Sequence, residues 1–177
     1  MRVYVAGKME WLDSKDSVWR ESLQIFKRNL IVQGRQMAAR LLPNLELIFP
    51  SEQWFDHGGD LVVGIVEADL KALEASDAVV AVFTDAVQVG TIVELMHALS
   101  LGKRCLAIFV PPTVDPDYPN WRGKDYVFLS GEVEMRWGSD HYWFLINYLL
   151  KFTNAAVAMA RDNYAAIRAA GLWLLNL

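Results

Sequence analysis

Two carboxylates and one short polar segment are the residues of this chain best suited to chemistry. Glu94 ends the segment Asp85-Ala-Val-Gln-Val-Gly-Thr-Ile-Val-Glu94, which lies between the apolar runs 78–83 and 104–110. Asp69 lies upstream, in a stretch with helical spacing. A carboxylate in the first turn of a helix that follows a buried parallel strand lies at the edge where open sheets bind ligands. Glu94 is therefore the first candidate for a catalytic residue.

Two interpretations of Glu94 follow from its spacing to Thr91. The pattern Thr91-Ile-Val-Glu94 fits a capping box, in which the hydroxyl and the carboxylate satisfy backbone amides at a helix start. The pattern alone favours this structural interpretation. The functional one is that helix amides lower the pKa of Glu94 and keep it ionised as a nucleophile or electrostatic stabiliser. Gly90 would let the backbone come close to a ligand.

Other candidate residues give weaker signals. Gly7 and Lys8 follow the first strand, where a turn into a helix can hold a phosphate or a sugar. Asp77 fits ordinary turn chemistry between a helix and a strand. The three histidines lack metal-ligand spacing, and Cys105, the single cysteine, excludes an internal disulfide and a cysteine-rich metal site. We expect no metal and no cofactor.

Several catalytic motifs are missing from the sequence. It contains no Gly-x-Ser-x-Gly elbow, no P-loop and no Gly-x-Gly-x-x-Gly fingerprint. Interpretations as a serine hydrolase, a P-loop kinase or a Rossmann dehydrogenase are therefore weak.

Composition excludes further classes of function. The chain has 177 residues, 54% of them hydrophobic and 21% charged, which is typical of one folded globular domain. A net charge of −4 gives no reason to expect nucleic acid or an anionic membrane as a partner. No run of residues is long and apolar enough for a membrane span, and the first residues do not fit a signal peptide. The predicted location is the cytoplasm.

Hydrophobic periodicity predicts strands that alternate with helices. The predicted strands cover residues 2–6, 45–49, 78–83, 104–110 and 126–129, and the predicted helices cover 16–40, 60–74 and 91–101. From about residue 140 the pattern is helical, with apolar residues around the whole axis. This order indicates an α/β fold: a doubly wound parallel sheet of about five strands, a flavodoxin-like or Rossmann-like sandwich, in a single domain over 1–177 with a helical C-terminal region.

Tryptophan content suggests a second buried surface. The chain has seven tryptophans, more than the core of a monomer of this size needs, and four lie in its C-terminal third: Trp121, Trp137, Trp143 and Trp173. Aromatic residues are enriched at subunit interfaces. We therefore expect a homodimer or a higher homo-oligomer.

Three segments together resemble the nucleoside 2-deoxyribosyltransferase family over roughly residues 2–110. They are Val3-Tyr-Val-Ala-Gly-Lys8, Asp69-Leu-Lys-Ala-Leu-Glu-Ala-Ser-Asp77-Ala-Val-Val-Ala-Val and Val89-Gly-Thr-Ile-Val-Glu94-Leu-Met-His-Ala-Leu-Ser-Leu-Gly-Lys103. The resemblance implies a doubly wound parallel sheet and cleavage of the N-glycosidic bond of a (2′-deoxy)nucleoside. The sugar then passes to another nucleobase or to water.

The resemblance also implies roles for individual residues. Glu94 matches the nucleophile that forms a covalent glycosyl-enzyme, as in retaining glycosidases. Asp69 matches the aspartate that positions this glutamate and the sugar. The expected substrate-binding residues are Gly7, Lys8, Asp85, Gln88, Gly90 and Thr91.

One position departs from the family pattern. Many members carry an aspartate where this chain has Gln88, and that aspartate protonates the leaving base. A glutamine can hydrogen-bond a base edge but cannot act as a general acid. Asp85, three residues earlier, is an alternative acid. His97 stands where some relatives have an aromatic residue, and we expect it to pack rather than to react.

Two other functions stay open at this point. One is a nucleoside 5′-monophosphate N-glycosidase of the phosphoribohydrolase type, although the Pro-Gly-Gly of that family is replaced here by Ala86-Val-Gln-Val-Gly90. The other is a non-catalytic nucleotide-binding or sensing domain, which is consistent with Gln88 because a glutamine cannot act as a general acid. The resemblance favours the nucleoside as substrate.

Overall fold

The computed structural model describes residues 1–7, 44–49, 61–84, 88–110, 124–131 and 140–177. The predicted helix over 16–40 and the predicted loops over 50–59 and 111–121 lie outside the described residues. All the predicted strands and the other predicted helices fall within them, apart from residue 60 at the start of the predicted helix 60–74.

Ten elements make up the described fold. In chain order they are β1 Arg2–Gly7, β2 Glu46–Ile48, α1 Leu61–Glu74, β3 Ala78–Phe83, α2 Val89–Ser100, β4 Arg104–Phe109, β5 Tyr126–Phe128, α3 Asp140–Leu149, β6 Ala155–Ala160 and α4 Asn163–Leu174. The six strands form one sheet in the order β2-β1-β3-β4-β6-β5. Only the edge pair β5–β6 is antiparallel. The predicted doubly wound sheet is confirmed, with six strands rather than about five.

Helices cover both faces of this sheet. Residues of α1, α2 and α3 pack on the face that carries Tyr4 and Ala6, and α4 packs on the face that carries Val3 and Val5. The strand β3 is buried along its whole length because it lies inside the sheet with cover on both sides. That position explains its unbroken apolar sequence.

The prediction of a wholly helical C-terminal region is wrong. Ala155–Ala160 forms the strand β6 between β4 and β5. Alanine has high helix and low strand propensity, so the local sequence does not indicate a strand. Tertiary packing decides instead: Ala158 and Ala160 meet Ala165 and Ala169 of α4 in one buried cluster, where small side chains let helix and sheet approach closely.

The helix α3 is amphipathic rather than buried on several faces, as the sequence had suggested. Its residues Leu145, Ile146 and Leu149 are buried against the sheet. Phe144 and Tyr148 are 70% and 42% exposed. The apolar residues around the axis therefore do not indicate burial all round. No helix among those described combines the length and apolarity that crossing a bilayer requires.

Candidate active site

The strand order of the sheet reverses between β1 and β3. The chain leaves β1 for β2 on one side and returns to β3 on the other, so the strand order reverses at β1. Open α/β sheets bind ligands at the carboxyl ends of the strands beside such a reversal. Gly7 ends β1 in register with Val82, and Thr84 follows the end of β3. The start of α2 lies at this same edge.

The carboxylate of Glu94 forms a hydrogen bond with a buried tyrosine of β1. The hydroxyl of Tyr4 donates a hydrogen bond of 2.7 Å to Oε1 of Glu94. Tyr4 lies on β1, is fully buried and is flanked by Val3 and Val5, whose side chains point to the other face of the sheet. A buried tyrosine hydroxyl needs a partner, and here Glu94 supplies it.

Burial raises the pKa of the Glu94 carboxyl. Loss of solvent raises the pKa of Glu94 to about 7, against the lowering effect of the Tyr4 hydrogen bond, and the nearby charge of Asp69 raises it further. The pKa of Tyr4 is raised, by burial first and then by the charges of Glu94 and Asp69. Tyr4 therefore stays a neutral donor, while Glu94 changes protonation state around neutral pH.

Asp69 and Glu94 come from neighbouring helices on the same face of the sheet. Asp69 lies on α1 and Glu94 on α2. Asp69 contributes to the electrostatics of both Glu94 and Tyr4, so the three side chains form one site. The structure thus brings together the two carboxylates that the sequence proposed as a pair.

Two predictions about Glu94 are wrong. The helix α2 begins at Val89, two residues earlier than predicted, and its N-cap is Gln88. Glu94 therefore lies in the second turn and Thr91 inside the first, so they do not form a capping box. The pKa of Glu94 is raised rather than lowered, because burial outweighs any effect of the helix amides at this depth.

The start of α2 is open near Glu94. Gly90 is exposed, and a Cβ built on it would have no atom within 4 Å among those described. Side chains of a helix lean toward its N-terminus, so the surface over Gly90 is the one beside the Glu94 side chain, four residues on. Thr91 is only 4% exposed and faces the core. The glycine thus leaves room next to the carboxylate.

The residues that follow α2 connect this helix to α1. Gly102, with φ +72°, follows α2, and two backbone bonds close the helix: Gly102 N–H to Leu99 O and Lys103 N–H to Ala98 O. The Lys103 ammonium donates to the carbonyls of Glu74 and Ser76, at 2.8 and 2.6 Å. This ties the end of α2 to the end of α1.

Two further residues that the sequence singled out also hold the scaffold. His97 Nε2 lies 3.1 Å from Oε1 of Glu74, which again links α2 to α1. Asp77 accepts a hydrogen bond of 2.7 Å from the backbone N–H of Arg2 and so fixes the start of β1. Within the described residues, both bonds join elements of the scaffold.

The remaining predicted site residues divide into two groups. Gly7, Gln88 and Gly90 lie at the carboxyl edge of the sheet, whereas Lys8 and Asp85 lie outside the described residues. Sequence reasoning missed Tyr4, although it belongs to the first resembling segment. The available signal was a single polar hydroxyl within an otherwise apolar central strand.

Comparison with known proteins gives a limited result. No protein-family model matches the chain, and no curated protein matches it. One similar solved structure is a 2-deoxyribosyltransferase from Bacillus psychrosaccharolyticus, at 16% identity and a TM-score of 0.41, covering 65% of this chain and 77% of that one. Another is a 2-deoxyribosyltransferase from Leishmania mexicana, at 18% identity and a TM-score of 0.39, covering 62% of this chain and 64% of that one. Both bear the name of the family that the sequence motifs resemble.

Proposed function

We propose that this protein cleaves the N-glycosidic bond of (2′-deoxy)nucleosides and transfers the deoxyribosyl group to another nucleobase or to water. The observation that carries the proposal is the Glu94 carboxylate, which accepts a hydrogen bond of 2.7 Å from Tyr4, feels the charge of Asp69 and, within the described part of the chain, has free space beside it over Gly90. Perturbed acidity in a crevice is typical of catalytic carboxylates. A purely structural glutamate would not need free room beside it.

In the proposed reaction Glu94 is the nucleophile. An ionised carboxylate oxygen attacks the anomeric carbon, the bond from that carbon to the base nitrogen breaks, and the base leaves with the bonding electrons. A second base, or water, then attacks the same carbon and releases Glu94, with retention of configuration. Tyr4 holds the carboxylate in one orientation through both steps. The charge of Asp69 would stabilise the positive charge that develops on the sugar.

Protonation of the leaving base falls to a group other than Gln88. Its amide has no acidic proton near neutral pH. Asp85 remains the candidate that the sequence offers, so we propose it for this role.

Product analysis tests the function. The purified chain is incubated with 2′-deoxyadenosine, with and without free cytosine, and the products are separated by chromatography. Release of adenine alone indicates hydrolysis, and formation of deoxycytidine indicates transfer. The variant Glu94→Gln should lose at least about a thousandfold in rate, because removal of a nucleophile leaves only binding and electrostatic effects.

The matched control is Glu67→Gln, which makes the same change on an exposed position of α1. It should leave the rate unchanged. Full base release by Glu94→Gln would refute the covalent mechanism. Binding of deoxyadenosine with no turnover over hours would instead identify a sensing domain.

A further inference from the structure

A side-chain hydrogen bond joins the two helices that carry the candidate carboxylates. Nε2 of His97 on α2 lies 3.1 Å from Oε1 of Glu74 on α1, and the two side chains are 31% and 51% exposed. An ionised carboxylate only accepts hydrogen bonds, so the imidazole donates from Nε2. We call this contact between His97 and Glu74 the α1–α2 link.

The position of the link relates it to both carboxylates. Each helix leads into a strand of the parallel sheet, α1 into β3 and α2 into β4, so the two helices run in the same direction. Glu94 lies three residues before His97, about 4.5 Å along α2, and Asp69 lies five residues before Glu74, about 7.5 Å along α1. Both carboxylates therefore lie on the same side of the link, toward the carboxyl ends of the strands.

The two carboxylates repel each other when both are ionised. Burial raises the pKa of Glu94, the hydrogen bond from Tyr4 lowers it, and the charge of Asp69 raises it again. Within the described part of the chain, the titratable groups that face Glu94 are Tyr4 from β1 and Asp69 from α1. Repulsion between Asp69 and Glu94 acts to move α1 and α2 apart, and a bond between the same two helices opposes that movement.

Other contacts keep the helices packed when the link is removed. The Lys103 ammonium bonds the carbonyls of Glu74 and Ser76, and Leu73 of α1 and Leu95 of α2 are buried in one core cluster. A partly exposed pair such as His97 and Glu74 contributes little to stability. The link is therefore better placed to set the spacing of the carboxylates than to hold the fold together.

We propose that His97 is a positioning residue: its bond to Glu74 holds α1 and α2 at the separation at which Asp69 and Glu94 act together. This inference rests on the proposed function for the catalytic role of the two carboxylates. His97 acts through the two helices and not on the substrate.

The ionisation of Glu94 in the ligand-free protein tests the inference. Protein labelled with a carbon isotope at its glutamate carboxyls is titrated by NMR from pH 5 to 9, and the Glu94 signal is the one missing from Glu94→Gln. In His97→Leu the midpoint should move to lower pH by roughly half a unit, because a wider separation weakens the repulsion from Asp69. The kcat should fall roughly fivefold with KM within about twofold, since orientation is lost and binding is not.

Three variants control for a merely structural effect. His97→Gln keeps a donor nitrogen at the same distance from the backbone, so it should restore the native midpoint and rate. Glu74→Ala removes the bond from the other helix and should match His97→Leu. The matched control is Glu46→Ala, which breaks an ion pair of the same 3.1 Å length to Arg2, away from both helices, and should change neither value. All of these variants should melt within about 4 °C of the native chain.

The double variant of His97→Leu with Asp69→Asn separates positioning from a general loosening of the fold. Without the charge of Asp69 there is no repulsion to weaken, so the double variant should keep the midpoint of Asp69→Asn. The inference is overturned by an unchanged or higher midpoint in His97→Leu, or by a further shift in the double variant.

Failure of the proposed function looks different, because the titration needs no substrate. A native chain without turnover, but with the lowered midpoint in His97→Leu, would refute the enzyme and leave the spacing role of His97 intact. Turnover by the native chain with an unmoved midpoint in His97→Leu would refute the role of His97 alone.

Discussion

At the scale of single residues, the hydrogen bond between Tyr4 and Glu94 sets how the site responds to pH. With a pKa of about 7, Glu94 is about half ionised at neutral pH. A nucleophile must be ionised, so kcat/KM should rise with pH and level off above 7. The rise identifies Glu94 as a nucleophile rather than a general acid, which would give the opposite slope.

Tyr4→Phe should shift that rise to higher pH. The tyrosine hydroxyl stabilises the ionised form of Glu94, and without it the pKa of Glu94 increases. One hydrogen bond to a carboxylate corresponds to roughly one pH unit, so the ionised fraction of Glu94 at pH 7, and with it kcat/KM, should fall roughly fivefold. The measurement is a kcat/KM profile from pH 5 to 9. Tyr148→Phe, which removes an exposed hydroxyl on α3, is the matched control and should change nothing.

Asp69→Asn should move the same rise in the opposite direction. The charge of Asp69 raises the pKa of Glu94, so its removal lets Glu94 ionise at lower pH. We expect the plateau rate to fall as well, roughly tenfold to a hundredfold, since in the proposed reaction Asp69 also stabilises charge on the sugar. A shift of the Asp69→Asn profile to higher pH would show that the two carboxylates do not interact as described.

At the scale of elements, the two glycines of the α2 segment have opposite roles. Gly102 adopts φ +72°, a conformation that other residues reach only with strain, and it closes the helix. Gly90 has no such φ, and among the described residues no atom lies where its Cβ would be, yet it lies inside the helix. The backbone conformation explains Gly102, and for Gly90 we propose a role in leaving room for the substrate.

Alanine at each position separates these roles. Gly102→Ala should destabilise the fold by about 1 kcal/mol and leave kcat/KM nearly unchanged. Gly90→Ala should stabilise it by up to about 1 kcal/mol, through better helix propensity, and reduce kcat/KM by filling the space beside Glu94. Urea unfolding and initial rates measure the two effects. Equal activity of Gly90→Ala and the native chain would show that no ligand uses that space.

Element boundaries also show how far sequence reasoning reaches. The strands β1, β3 and β4 follow from apolar runs, whereas the pairing of Glu94 with Asp69 was implied by the resemblance to the deoxyribosyltransferase family and by no local pattern. The first residue of α2 could not be predicted from the sequence, because Val89 and Gly90 carry no helix signal and the N-cap is a glutamine. The sequence also did not show that Glu94 would be buried, and burial raises its pKa where the position near a helix start had led us to expect a lowered one.

At the scale of the whole molecule, the sheet brings distant parts of the sequence into one site. Tyr4 and Glu94 are 90 residues apart, and Asp69 lies between them in sequence. Alternation of strands and helices predicted the doubly wound sheet but not the contact between Tyr4 and Glu94. That contact depends on which face of β1 the helix α2 covers, a property of packing rather than of any local pattern. The Ala-rich strand β6 was missed for the same reason.

Burial of Glu94 also makes the stability of the whole fold depend on pH. The pKa of Glu94 is 4.5 in its unperturbed form and about 7 in the folded state. Between these values the folded chain holds a proton that the unfolded chain has lost, so stability falls as pH rises from about 4.5 and the loss is complete above 7. Glu94→Gln removes the ionisation and keeps an acceptor for Tyr4.

The variant Glu94→Gln should therefore melt at the same temperature as the native chain near pH 4 and at a higher one at pH 8. A rise in pKa from 4.5 to about 7 corresponds to about 3 kcal/mol, so the difference at pH 8 should be roughly 6–12 °C for a chain of this size. Thermal unfolding followed by circular dichroism at pH 4, 6 and 8 gives the values. Glu67→Gln, an exposed position on α1, should show no such growing difference. A Glu94→Gln variant less stable than the native chain at pH 8 would mean that the ionised carboxylate is favourably bound in the fold, contrary to its raised pKa.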